Sequence, residues 1–162
     1  VLCGAVIGAA PVSLQELCKM SDEYVQHIDN WATCDYFCSG LRRLKKWDRD
    51  FLPNVHKYLA SDQPWIRRAG LVLLRGYYVK AEYIGDIFQW AEQTVCEHYY
   101  VQMAHAWLLA ECYTKFPKET AAYLEECELL DSIINKTVQK IRDSYRVDPV
   151  WKERANAFQR KK

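Results

Sequence analysis

Apolar residues recur at spacings of three and four from one end of this chain to the other, and no apolar/polar alternation is bracketed by Asn-Gly or Asp-Gly turns. That period predicts helices throughout and no strands, an all-α protein. The punctuation agrees, with Pro and Gly confined mostly to junctions. "SLQELCKMSDEYVQHI" opens on Ser13 with Glu16 three residues on, the signature of a capping box. "NWATCDYFCSGL" follows Asp29 or Asn30 as its cap, and Gly40 is placed to end it. Next come "DFLPNVHKYLA" and "SDQPWIRRAGLVLLRGYYV", the latter with Pro64 near its first turn, where proline is tolerated. "AEYIGDIFQWAEQ", "YYVQMAHAWLLAECYTKF", "KETAAYLEECELL", "NKTVQKIRDSYRV" and "PVWKERANAFQRK" complete the series.

Three of these helices superimpose: "WIRRAGLVLL" from Trp65, "YVQMAHAWLL" from Tyr100 and "INKTVQKIRD" from Ile134, offset by thirty-five and then thirty-four residues. Each is expected to follow a shorter partner helix. A helix pair recurring at that period marks an α-α superhelix, a solenoid in which each pair buries its apolar face against its neighbours. "SDQPWIRRAGLVLL" has the shape of a HEAT unit, with Asp and Pro at the turn and Arg, small and apolar residues in the second helix. Residues 1–162 therefore read as a single HEAT-like repeat domain. Its second helices line a concave face on which their polar side chains converge.

Composition changes this picture little, and charge changes it more. Half of the 162 residues are hydrophobic, enough for a core, and the 6 Trp and 11 Tyr suit either a filled helical interior or a surface that stacks on planar ligands. The net charge of +1 hides an asymmetry: from Ser132 onward nine Lys or Arg stand against three acids, so that segment is +6 and the remainder −5. A basic end fits an anionic partner, and it equally fits a solvated terminal helix with a basic tail. The seven cysteines are scattered through apolar helical pattern and read as reduced core residues of a cytoplasmic protein. Cys34 and Cys38 share a helix face, but no second ligand pair follows at zinc spacing, so no metal site is assigned. "VLCGAVIGAA" is too short to span a bilayer and has no basic lead-in. It opens on Val1 as if mid-helix, which suggests that N-terminal helices are lacking.

The second helices carry the candidate chemistry: Trp31 and Asp35, Arg67 and Arg68, His105 and Trp107, Lys136 and Lys140. Each has an ordinary structural reading. Trp31 and Trp107 would be core, Asp35 would ladder to Arg67 or Arg68, His105 would be a satisfied core histidine, and the two lysines would form a solvated stripe. Together they have a chemical logic that those readings leave unused. Lys and Arg on a concave face would track phosphates, and indoles would pack on sugar or base faces. A carboxylate between them would stabilise the positive charge that develops on a deoxyribose when a purine N-glycosidic bond breaks, or activate the attacking water. An alkylated purine is itself cationic and attracts indole faces.

These blocks, in this order, resemble the DNA alkylation repair family of HEAT-repeat glycosylases, the AlkD family: "VLCGAVIG", "IDNWATCDYFCSGL", "WIRRAGLVLL", "YYVQMAHAWLLAECYTKFP" and "NKTVQKIRDSYRV". The resemblance implies that Asp35 is the catalytic aspartate and that Trp31 and Trp107 face the lesion. It implies that Arg68, with Arg67 as the adjacent alternative, grips the backbone beside the lesion. The implied activity is excision of N3-alkyladenine and N7-alkylguanine from double-stranded DNA without metal or cofactor, by a monomer in the cytoplasm with no membrane partner. The family has further helices before "VLCGAVIG". The alternative is a non-catalytic HEAT-repeat module that binds DNA or serves as a protein scaffold.

Overall fold

A computed structural model describes residues 2–160. The side chains of Leu2, Cys3 and Ala5 lie outside that description, as do Val1, Lys161 and Lys162, so the readings of Cys3 as core and of the terminal basic pair fall outside it. Among the described residues ten α-helices run in order: α1 (Leu2–Ala9), α2 (Leu14–Val25), α3 (Trp31–Gly40), α4 (Leu44–Leu59), α5 (Pro64–Leu73), α6 (Ile84–Gln93), α7 (Tyr99–Lys115), α8 (Pro117–Glu126), α9 (Asp131–Asp143) and α10 (Pro149–Ala155). Among the described residues there is no strand, and the fold is an all-α helical repeat.

The caps fall where the sequence puts them. Ser13 accepts from the Glu16 amide at 3.3 Å while the Glu16 carboxylate accepts from the Ser13 amide at 2.9 Å, which completes the capping box. Asn30, rather than Asp29, caps α3, its Oδ1 accepting from the Thr33 amide at 2.9 Å. α3 ends on Gly40 without a left-handed residue, because the Leu41 amide turns back to the Cys38 carbonyl instead. Pro64 opens α5 as its first residue.

Two expectations change. α4 begins at Leu44 rather than Asp50, and with 16 residues it is longer than the 10-residue α5 it precedes, so the rule of a shorter first helix fails there. The stretch "LRRLKKWDRD" hides its helix behind dense charge and has no capping side chain. Its entry is held from a distance: Arg43 donates to the carbonyls of Ala10 and Val12 at 2.5 and 2.6 Å and stacks 4.2 Å over Trp47, the residue where α4 kinks. The second change lies beyond α5, which continues as a π-helical turn over Leu74–Tyr78. The wider turn buries both Tyr77 and Tyr78, whose hydroxyls donate to the carbonyls of Cys38 and Asp48 at 2.9 and 2.7 Å.

The chain divides into two compact units, Val1–Tyr78 and Val79–Lys162. In the first, α1 packs on α3, α3 on α5, α4 on α5 and α2 on α4, around Leu17, Phe37, Leu44, Phe51, Val55 and Leu71, all fully buried. Each such side chain contributes about 1.5–3 kcal/mol. The α1–α3 crossing is so close that a Cβ on Gly8 would collide with the Gly40 carbonyl. Asp22 on α2 ties α4 by accepting from Asn54, Lys57 and Tyr58 at 2.8–3.0 Å. In the second unit α7 packs on α8 and α9, and α9 on α10, over a core that includes Leu109, Tyr113, Ile134, Val138 and Ile141.

Candidate functional site

In the first unit the candidate chemistry sits at the start of α3. Asn30 fixes the helix entry, donating through Nδ2 to Thr33 Oγ1 at 2.9 Å besides capping the Thr33 amide. Trp31 is then the first helical residue and Asp35 follows one turn later, on the same side. Trp31 is 53% exposed, which removes the reading of this indole as core. Cys34, between them in sequence, is fully buried.

Asp35 meets Arg68 from α5. Arg68 Nη2 donates to both carboxylate oxygens at 2.9 Å and Nε donates to Oδ1 at 3.2 Å. The side chains of Arg68 and Asp35 are 5% and 21% exposed, so the guanidinium is inside and the carboxylate reaches the surface. Charge-assisted bonds of this kind are about twice as strong as neutral ones and fix the plane of both groups. Oδ1 accepts two N–H groups and Oδ2 only one, which leaves Oδ2 with lone-pair capacity for a water or a sugar. Arg67 is engaged elsewhere: Nε donates to the Ser61 carbonyl at 2.9 Å and Nη2 lies 3.7 Å from Asp62, closing the α4–α5 turn. Of the adjacent arginines, Arg68 is the one that faces Asp35.

A thiol lies beneath this pair. Cys38 Sγ donates to the Ala69 carbonyl at 3.6 Å. Its thiol is pushed well up, first by burial, then by the neighbouring Cys34 and the Asp35 charge, with Arg68 opposing. Cys38 stays protonated and packs as a small apolar residue.

In the second unit Trp107, on α7, is partly exposed, and the Lys140 ammonium stands 5.7 Å from the centre of its ring, within cation–π range. The indole face is thus already turned to a cation. His105, two residues earlier, is fully buried, with Nε2 2.8 Å from the Ala91 carbonyl and 2.9 Å from Thr94 Oγ1. A carbonyl only accepts, so Nε2 carries the proton and the ring ties α7 to the end of α6. It is a core histidine, as in the plain reading, with Nε2 satisfied.

The basic surplus of the C-terminal segment sorts into two groups. Arg146 makes two 2.9 Å bonds to Glu111, Arg154 pairs with Glu125 at 3.0 Å, and Arg160 donates to the carbonyls of Leu129 and Cys127 and to Asp131. These three arginines are staples. Lys136 and Arg142 make no hydrogen bond or ion pair among the described residues. Lys136 faces a groove beside α9, and Lys140, one turn on, faces Trp107. Arg142 was not separable from the other basic residues by sequence; what groups it with Lys136 is the groove that both line.

A buried arginine paired with a half-buried aspartate one turn from an exposed indole in one unit, and an indole facing a lysine in the other, form the setting in which the chain's kinship gains meaning. The family model for the DNA alkylation repair enzyme matches residues 9–148. The chain belongs to the DNA alkylation repair enzyme family, and its substrate class is DNA. No curated protein matches the chain significantly. No helix among the described residues is long and apolar enough to cross a membrane.

Proposed function

We propose that this protein is a DNA glycosylase that hydrolyses the N-glycosidic bond of cationic alkylpurines, N3-alkyladenine and N7-alkylguanine, in duplex DNA, built as a HEAT-like repeat. The observation that carries the reading is the carboxylate of Asp35, held in one plane by Arg68 and open at Oδ2, one helical turn from the exposed Trp31. The C1′–N bond breaks with its electron pair passing to the purine, which leaves neutral. Positive charge appears on the deoxyribose, where the Asp35 carboxylate stabilises it. Water adds to C1′ and its proton passes to Asp35 or to solvent. The reaction balances without metal or cofactor, because the alkyl group has already made the purine a good leaving group. Trp31 and Trp107 offer indole faces to the lesion's sugar and cationic ring, Arg68 positions Asp35, and Lys136 and Lys140 contact phosphates.

Asp35→Asn is the test. The amide keeps the shape and one acceptor oxygen for Arg68 but lacks the charge. Release of N7-methylguanine from methylated duplex DNA is expected to fall by about 10²–10³-fold, the scale of one transition-state electrostatic contact. Loss of the charged partner of Arg68 should lower stability by about 1–3 kcal/mol, and DNA binding should be largely kept. A wild-type rate of release in this variant would remove Asp35 from the chemistry.

One observation favours a second reading. Arg68 occupies three of the acceptor positions on Asp35, as a purely structural Asp–Arg ladder would. A HEAT-repeat module that binds DNA or a protein without acting on it would use the pair in that way. Salt-dependent DNA binding with no base released from any alkylated duplex would favour it.

A further inference from the structure

Beside α9 lies a polar groove of about 750 Å³ whose opposite wall is the segment that follows the final 3-10 turn, Asn156–Phe158. That wall is built. The Asn135 side chain pairs both ways with the backbone of Arg160, Nδ2 donating to its carbonyl at 3.1 Å and Oδ1 accepting from its amide at 2.9 Å. The Arg160 guanidinium is consumed by two carbonyls and Asp131. These bonds hold the segment of Gln159 and Arg160, the strap, in place.

The side chains across the groove are the opposite case. Lys136, Gln139 and Arg142 line it from α9 and Gln159 from the strap, and none of the four side chains has a hydrogen-bond or ion-pair partner among the described residues. Residues three apart on a helix step about 4.5 Å along the axis and about 60° around it, so the three on α9 form one slanting row, with Lys136 and Arg142 about 9 Å apart along the axis and about 120° apart around it. A helix dipole accounts for a cation in the last turn, hence for Arg142 alone. It does not account for two unpaired amides facing the same groove.

Charge defines the ligand class. Asp143 also lines the groove, and Arg160, which lines it too, is paired with Asp131, so Lys136 and Arg142 against one acid leave a single unpaired positive charge. That balance fits monoanionic phosphodiesters spaced along a strand better than a compact dianion. On the other side of Arg160 a second groove of about 710 Å³ is lined by Glu97, Glu128 and Asp131, and it would repel a strand. We propose that the α9–strap groove is a seat for the DNA backbone outside the lesion. Lys136 and Arg142 take neighbouring phosphates, and Gln139 and Gln159 donate amide N–H groups to phosphate oxygens. The proposal rests on DNA as the substrate of the proposed function and is independent of base release.

The experiment is binding of the full chain to an undamaged, fluorescently labelled duplex over a range of salt, with base release from methylated duplex measured in parallel. Replacing either cation, Lys136→Gln or Arg142→Gln, should reduce the slope of log affinity against log salt by about 0.9, and the double variant by about 1.8. Gln139→Ala should weaken binding a few-fold with the slope unchanged. Arg154→Gln, which removes an exposed cation paired with Glu125, should leave the slope as it is. Asp143→Asn, which adds positive charge without removing any contact, should tighten binding a few-fold and guards against variants that merely unfold. A wild-type slope in the double variant, or no gain from Asp143→Asn, would overturn the proposal. So would displacement of the duplex by inorganic phosphate at constant ionic strength, which would mark a site for free phosphate. Base release with an unchanged slope sinks the groove alone; a reduced slope with no base release sinks the glycosylase reading alone.

Discussion

Trp31 stands in water at a position where any polar residue would serve the helix as well. Burying a side chain of its size would have stabilised the fold by about 2–3 kcal/mol, so an indole left 53% exposed is a poor choice for folding alone. Trp31→Ala should therefore lower stability by only about 1 kcal/mol. Base release should fall by about tenfold or more, because the variant loses a group that positions the nucleotide. Thermal unfolding and single-turnover release of N7-methylguanine read the two effects separately; release at the wild-type rate would leave Trp31 an incidental surface aromatic. The pairing of Trp31 with Asp35 was legible from their four-residue spacing alone. That Arg68 and not Arg67 meets Asp35 was not, since adjacent helix residues point about 100° apart and spacing does not fix the rotation of α5 against α3. Lys136 and Lys140 show the limit of the same rule. Spacing makes them neighbours, but Trp107 lies beside one and the strap beside the other.

At the scale of elements, the caps and starts of α2, α3 and α5 could be read because Ser13, Asn30 and Pro64 act locally, through bonds or fixed dihedrals within one turn. The first half of α4 could not, because Arg43, which anchors it, works through carbonyls more than thirty residues away. The closest helix crossing was equally hidden. Nothing in "VIGAA" says that Gly8 meets the backbone of Gly40, yet α1 reaches α3 only because Gly8 presents no side chain there. Gly8→Ala should force the two helices apart and lower stability by about 1–3 kcal/mol, the usual cost of overpacking. The Ala helix-propensity gain of up to about 1 kcal/mol opposes that loss and is too small to reverse it. Urea unfolding measures the net effect. Because α3 carries Trp31 and Asp35, base release should fall in the folded variant too, which distinguishes displacement of α3 from simple loss of folded protein.

Charge on the whole molecule is more segregated than the net value shows. Residues 1–78 carry ten Lys or Arg against eight acids, residues 79–131 three against ten, and residues 132–162 nine against three. Net charges of +2, −7 and +6 thus follow one another along the chain. The acidic stretch contains α6, α7 and α8, and the basic one contains nearly all of α9 and the whole of α10. A protein with uniformly mixed charge and a pI near 7.7 carries a negative surface at about pH 8.5 and should pass through an immobilised polyanion. This chain is expected to be retained on heparin at that pH and low salt, because a polyanion responds to the local field of α9 rather than to the net charge. Phosphate contacts release counterions, so elution should come at modest salt: three such contacts lose about 40-fold in affinity between 50 and 200 mM. The Lys136→Gln, Arg142→Gln double variant should elute earlier, while Arg154→Gln, whose charge is already balanced by Glu125, should elute with the wild type. Flow-through of the wild type at low salt would mean that the basic segment is only a solvated end, and the DNA would have to be held by residues outside it.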